Sequence, residues 1–352
     1  MWNQFLRCFL GVTIGLLLLT FAGLVILDPY DSLSFSPSFE RGLMAKNQRM
    51  VYPTVARSQE FNSLIIGTST IRMLKPEEMD GLFNVRFANL GMNDATAYEQ
   101  VRLIQLFQEH HRNMKYLVLG VDFVWCNETA EVRRLTYRQF PERFFDANPW
   151  NDIFELLNLT AIKTAFRQIE YKLGVRLPKY QKDGYGHMSF AVSPDEYDLK
   201  KARRHIYGQE TPKDLSGFHK SSSDGHSFDL ERKTWVYGAH DMLFKLINEL
   251  LEETQLILVF VPYHLYGQGE VNSRKRTVYL ECKDRLKAQL KKRKKTTILD
   301  FMIPSYITMR DTNYTDAMHY NLDVGQKLTG LIGRGAKGQV APHEEYEILL
   351  HQ

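Results

Sequence analysis

Residues 61–70 read FNSLIIGTST. The apolar run Phe61–Ile66 ends at Gly67 and is followed by the small polar residues Thr68, Ser69 and Thr70. This spacing predicts a short buried strand that stops at Gly67, then a turn that carries an exposed serine. Further along, Pro76-Glu77-Glu78 opens or continues a helix. Asn84–Leu90 (NVRFANL) alternates as a strand does, Ala97–His111 places Tyr98, Val101, Leu103, Ile104 and Phe107 at helical spacing, and Lys115–Val121 (KYLVLGV) reads as a buried strand. The order is β-α-β-α-β. It resumes downstream with a helix at Asp241–Glu252, a strand at Gln255–Val261, a helix at Ser273–Leu290 and a strand at Thr296–Asp300. Alternation of this kind predicts an α/β fold with a mostly parallel sheet and helices on both faces.

Between the two halves, residues 126–235 lose the pattern. They are polar and aromatic, with one amphipathic helix expected over Trp150–Leu173 and a Gly/Ser/His-rich stretch over Lys182–Asp229. An insertion of this length in an α/β domain emerges at a loop and often covers the site, so a lid or substrate-binding subdomain is expected; a solvated decoration is the competing reading.

At the other end, Cys8–Leu27 (CFLGVTIGLLLLTFAGLVIL) carries no charge over twenty residues. At about 1.5 Å per residue a helix of that length spans roughly 30 Å, the thickness of a bilayer core. The run is longer than the apolar region of a cleaved signal peptide, and no small-residue cleavage site follows it. An uncleaved single-pass anchor is expected. Arg7 and the α-amino group precede it while Asp28 and Asp31 follow, which places the N-terminus in the cytoplasm and the rest of the chain outside, on the periplasmic side; Arg41, Lys46 and Arg49 act against that orientation. Composition excludes other classes. The 352 residues are 44% hydrophobic and 24% charged, which is neither disordered nor polytopic, and 45 Lys+Arg against 41 Asp+Glu give +4, too weak a balance for nucleic acid. Cys8 lies in the anchor, leaving Cys126 and Cys282 as the two of the three cysteines that could pair outside it.

Three clusters carry candidate chemistry at strand ends or near the end of the fold, where open α/β sheets hold ligands. Ser69, at a strand-to-helix turn, would expose its hydroxyl beside backbone N–H groups, as a nucleophile next to an oxyanion site requires; an N-cap serine is the bland alternative. Asp316-Ala317-Met318-His319 spaces a carboxylate to hold an imidazole on Nδ1 while Nε2 faces outward as a base. In Asn89-Leu90-Gly91-Met92-Asn93, Gly91 permits close backbone approach and Asn93 offers an amide donor. Tyr263 and His264, ending the strand at Gln255–Val261, and Arg72, past Ser69, are candidate substrate contacts. Lys287–Lys295 is strongly basic, as a solvated helix end or as a surface for anionic head groups or an acidic polymer.

Gly67-Thr68-Ser69, Asn89-Leu90-Gly91 and Asp316-Ala317-Met318-His319, in this order and on these elements, resemble the blocks of the SGNH/GDSL hydrolase superfamily. The resemblance covers about 61–125 and 240–332. It implies a three-layer SGNH/flavodoxin-like sheet and a triad of Ser69, His319 and Asp316, with Ser69 and Gly91 N–H groups in the oxyanion site. The anchor, the Gly-Thr-Ser opening and Leu119-Gly120-Val121-Asp122-Phe123 are most similar to cell-envelope acyltransferase relatives, including alginate O-acetyltransferase-like and DltD-like proteins. Two positions depart from the family. Thr68 stands where Asp is usual, and Gly120-Val121-Asp122-Phe123 stands where Gly-x-Asn-Asp is usual. Either Asn93 supplies the missing donor from a neighbouring turn, or the Ser69 and Gly91 N–H groups serve alone.

The expected layout is an anchor (1–27), a linker (28–60), the two halves of the α/β domain (61–125 and 236–334) around the inserted lid (126–235), and a tail (335–352). The expected function is a membrane-anchored serine esterase or O-acyltransferase working through an acyl-enzyme. Cell-envelope or exported polysaccharide is the acceptor, and a membrane-bound partner supplies the acyl group, as the resemblance implies. No cofactor and no metal are expected. The alternative is a non-catalytic glycan-binding or assembly protein on the same fold.

Overall fold

The computed structural model describes residues 2–146, 148–186, 188, 190, 192, 194–218, 228–341 and 343–352. Its helices are α1 (Trp2–Leu27), α2 (Tyr52–Arg57), α3 (Pro76–Phe83), α4 (Ala97–His110), α5 (Leu159–Lys172), α6 (Leu199–Tyr207), α7 (Asp229–Arg232), α8 (Gly238–Glu249), α9 (Leu265–Gln268), α10 (Arg274–Leu290) and α11 (Leu322–Gly335). The strands are β1 (Ser63–Ile66), β2 (Phe87–Asn89), β3 (Tyr116–Val121), β4 (Gln255–Phe260), β5 (Thr296–Asp300) and β6 (Glu347–His351). The fold is mixed α/β, with a six-stranded sheet in the order β2-β1-β3-β4-β5-β6. The first five strands in that order are parallel, and β6 adds antiparallel to β5.

β1 is buried along its whole length, and β3 and β4 are buried apart from their first residues, which is why they read as continuous apolar runs. Ile65 pairs with Asn89 of β2 on one side and with Val118 of β3 on the other. The chain leaves β1 toward β2 and then crosses back to β3. Right-handed crossovers therefore put α3 on one face of the sheet and α4 on the other. α3 packs on α11 and α4 on α8. The reversal between β1 and β3 opens a crevice at their C-terminal ends, and Ser69 follows β1 there.

The chain divides into two compact units, residues 1–57 with 138–186, and residues 58–137 with 187–352. In the first, α1 is long and apolar enough to cross a membrane, and its side chains are mostly exposed, Leu19 to 71%. Residues 28–57 are folded rather than a free linker. Gln168 of α5 accepts from Gly42 N–H (3.1 Å) and donates to Gly42 O (2.7 Å), Tyr52 donates to Gly184 O (3.0 Å), and Arg57 pairs with Asp152 (3.2 Å). These bonds join residues far apart in sequence, so the local Ser/Pro composition gave no sign of them. The amphipathic stretch at Trp150–Leu173 is broken: a 3₁₀ turn (Asp152–Leu156) precedes α5, whose start is fixed where Asn158 accepts from Ala161 N–H (2.9 Å).

The second unit holds the sheet. The stretch read as an insertion divides between the units, with 138–186 in the first and its flanks in the second. In the Gly/Ser/His-rich part, residues 219–227 lie outside the described residues. The stretch read as a tail supplies β6, whose Leu350 pairs with Ile298. Cys126, in the loop after β3, forms a disulfide with Cys282 of α10. Within the basic run, Arg293 donates to the carbonyls of Leu251 (3.1 Å) and Thr254 (2.9 Å), and Lys295 pairs with Glu253, so part of its charge stitches the turn before β5.

Candidate active site

Ser69 begins a 3₁₀ turn, Ser69–Ile71, directly after β1. Ile71 sets the height of this turn. A Cβ on Gly91 would come within 2.7 Å of Ile71 Cγ2, one on Gly120 within 3.0 Å of Ile71 Cβ, and one on Gly67 within 3.1 Å of Ile71 Cγ2. Glycines at the ends of β1 and β3 and after β2 thus leave room for one isoleucine, and the turn settles onto the sheet edge. Polar groups fasten it there. Asn89, at the end of β2 and fully buried, donates to the carbonyls of Ile71 (3.3 Å), Arg72 (3.3 Å) and Leu74 (2.7 Å). Tyr320 donates to Thr70 O.

Asp122, just past β3, supplies the third fastening. Its carboxylate accepts from the hydroxyls of Thr68 and Thr70, the two neighbours of Ser69, and from Val124 N–H (3.2 Å). Burial pushes the Asp122 carboxyl up to about 6, with the hydrogen bonds pulling the other way. Thr68 and Asp122 therefore meet in space: Thr68 is a hydroxyl that needs an acceptor, and Asp122 is the acceptor. Asp122 O also receives Trp125 N–H (3.1 Å) and Cys126 N–H (3.2 Å), so the disulfide closes the same loop.

The Asp316–His319 loop is closed at its base by the bridge between Tyr314 and Tyr320, both buried, and by the bond from Thr315 N–H to His319 O (2.9 Å). α11 then starts, with Asn321 accepting from Val324 N–H (3.0 Å). Inside the loop, Asp316 Oδ1 accepts the backbone N–H groups of Met318 and His319 (both 2.8 Å), and Oδ2 lies 2.7 Å from His319 Nδ1. Burial alone would raise the Asp316 carboxyl, but these bonds and the adjacent imidazole hold it below its usual value. His319 Nε2 is 2.7 Å from Ser69 Oγ. Asp316, His319 and Ser69 thus form one hydrogen-bonded line, although Ser69 and His319 are 250 residues apart. In this line Asp316 fixes the tautomer that leaves Nε2 able to accept the Ser69 proton.

The remaining candidates lie differently. Gly91 N–H donates to Asn89 Oδ1 (3.0 Å), so the Asn89 side chain takes up the group expected at an oxyanion site. Asn93 Oδ1 accepts from Arg72 Nη1 (2.7 Å), which turns its NH₂ away from the guanidinium. Arg72 is itself buried, so it orients Asn93 rather than reaching for a substrate. Tyr263 and His264 are buried as well. His264 Nε2 lies 3.2 Å from Asp311 Oδ1, and its Nδ1 accepts from Tyr266 N–H (3.2 Å), so both ring nitrogens are used within the fold. Their strand does end at the crevice, but the backbone turns there to support the histidine loop, with His264 N–H donating to Ala317 O (3.0 Å). One residue near the site has no signal in the sequence. Phe190 packs on His319 with ring centroids 4.4 Å apart and the ring planes tilted by 33°, and the Arg72 guanidinium lies 5.8 Å from the same ring. Among the described residues, no group of three or more His, Cys, Asp or Glu side chains gathers as a metal site would need.

No protein-family model and no curated protein matches this sequence.

Proposed function

We propose that the protein is a membrane-anchored serine esterase or O-acyltransferase of the SGNH/GDSL type, acting on cell-envelope or exported polysaccharide. The observation that carries this reading is the line Asp316–His319–Ser69 at the C-terminal edge of a parallel sheet. The strand order 2-1-3-4-5 is that of flavodoxin-like folds, which supports the same class. Ser69 Oγ attacks an ester carbonyl while His319 Nε2 takes its proton, and Asp316 stabilises the imidazolium. Ser69 N–H and the Asn93 amide hold the oxyanion. The imidazolium then protonates the departing alcohol and leaves an acyl group on Ser69. Water completes an esterase cycle; a sugar hydroxyl completes a transferase cycle, in which excluding water decides the outcome.

The apolar α1 supports tethering at a membrane. The disulfide supports an oxidising, periplasmic compartment, where a membrane-bound partner would deliver the acyl group. The test uses the full-length protein in detergent, with p-nitrophenyl acetate and a fluorophosphonate probe. Labelling and turnover in the wild type, with both lost in Ser69→Ala and turnover reduced about 10⁶-fold in His319→Ala, are expected. A non-catalytic, glycan-binding role is favoured by one observation, the commitment of Gly91 N–H to Asn89, and an unreactive wild type would select it.

A further inference from the structure

Beside the histidine lies a cleft of ≈ 400 Å³, within the range of small-molecule sites. It touches the Asp316–His319 loop at Thr315 and Asp316, and Phe190 and Tyr197 give it two aromatic walls. Phe190 is held against the imidazole, and the Tyr197 hydroxyl donates to the carbonyls of Asp311 (2.7 Å) and Tyr314 (2.9 Å), so its ring has a fixed place. Flat apolar faces of this kind suit the C–H faces of sugar rings.

Val192 and Ala202 add apolar surface, and the remaining lining is polar and of mixed sign. Asp198 caps α6 by accepting Lys201 N–H (3.1 Å), and Asp316 is engaged by His319. Glu196, Lys201 and His205 are exposed along the cleft. His205 Nδ1 lies 3.2 Å from Thr315 O and donates to it. An ammonium, a carboxylate and an imidazole around two flat faces match an uncharged, hydroxyl-rich ligand. A polyanion would meet Glu196, Asp198 and Asp316 together.

The position of the cleft also sets a length. It is lined by Asp316, which holds His319 Nδ1, whereas Ser69 sits at Nε2. Ser69 is not among the residues that line the cleft, whereas Phe190, which packs on His319, is. We infer that this cleft is the acceptor subsite for an uncharged oligosaccharide, gripping one ring while a neighbouring ring presents its hydroxyl to acyl-Ser69. The inference rests on the acyltransferase reading above. In the step it serves, the sugar oxygen bonds to the acyl carbon, its proton passes to His319 Nε2, and the bond to Ser69 Oγ breaks as Oγ takes that proton back.

Binding separates this inference from the chemistry. Full-length Ser69→Ala protein, in a detergent without a sugar head group, is titrated calorimetrically with maltotriose, cellotriose, chitotriose, their monosaccharides and trigalacturonate. At least one neutral trisaccharide is expected to bind, with its monosaccharide at least about tenfold weaker. Adding Lys201→Ala and Glu196→Gln should weaken that trisaccharide at least about tenfold at an unchanged melting temperature. The subsite is overturned if no neutral trisaccharide binds, if trigalacturonate binds more tightly than all of them, or if the added changes leave binding unmoved. Fluorophosphonate labelling of the unsubstituted protein, scored in parallel, reports on the acyl-enzyme alone. Labelling without trisaccharide binding removes the subsite and keeps the nucleophile, and binding without labelling keeps the saccharide site and removes the acyl transfer.

Discussion

A carboxylate buried as completely as Asp122 is easier to keep protonated than to ionise, and its carboxyl stands at about 6 against an ordinary 3.8. The sign follows from linkage. The folded state binds this proton more tightly than the unfolded state, so the stability it contributes is complete below about 3.8 and is lost as the pH rises through about 6. The loss amounts to roughly 3 kcal/mol. Urea unfolding of wild type and Asp122→Asn between pH 3 and 7 should show the wild type losing about that much more than the variant; parallel curves would remove Asp122 as the source. Asp316 behaves oppositely, because its hydrogen bonds favour the ionised form. Asp316→Asn should lower kcat for p-nitrophenyl acetate by about 10⁴-fold through the wrong imidazole tautomer, measured at saturating substrate with folding checked by circular dichroism. Ser69, Asp316 and His319 were legible in the sequence because their spacing has a chemical meaning. The engagement of Gly91 N–H by Asn89 and the burial of Arg72, Tyr263 and His264 were not, because side-chain direction and depth do not follow from strand position.

The serine turn shows how short elements obtain a fixed geometry. A 3₁₀ turn of three residues has little stability of its own, so its position comes from Asn89, Asp122, Tyr320 and the three glycines around Ile71. Gly91→Ala would bring a methyl group within 2.7 Å of Ile71 Cγ2 and 2.9 Å of Arg72 Cγ. The expected cost is about 1–3 kcal/mol, with a fall in kcat as the turn lifts, and thermal unfolding together with turnover checks both. The regular elements were legible for simple reasons. β1, β3 and β4 are largely apolar and bounded by turn residues, β5 is β-branched at its start, and α4 carries a capping box at Thr96 and Glu99. β6 was missed because its residues are only partly buried, an edge strand whose partner lies far back in the chain. The break before α5 was missed because the apolar spacing continues through Asn158, where the cap interrupts it.

Over the whole chain, the apolar helix α1 was legible as twenty residues without a charge, since length and composition suffice. The folding of 28–57 with 138–186 was not, because it depends on bonds such as Gln168 to Gly42 across 126 residues. If α1 spans a bilayer, the protein should stay in the membrane fraction through an alkaline carbonate wash and leave it in detergent; release by carbonate alone would contradict the anchor. The disulfide closes a sequence separation of 156 residues and holds the loop that carries Asp122. Cys126→Ser should therefore cost about 2–5 kcal/mol, read as a lower urea midpoint than the wild type under non-reducing conditions. The most direct measurement is peptide mass spectrometry of the full-length protein, acid-quenched within its first turnover of p-nitrophenyl acetate. The account predicts a single acetyl group on Ser69, absent in Ser69→Ala and strongly depleted in His319→Ala. An unmodified Ser69, or acetylation there that His319→Ala leaves unchanged, would contradict it.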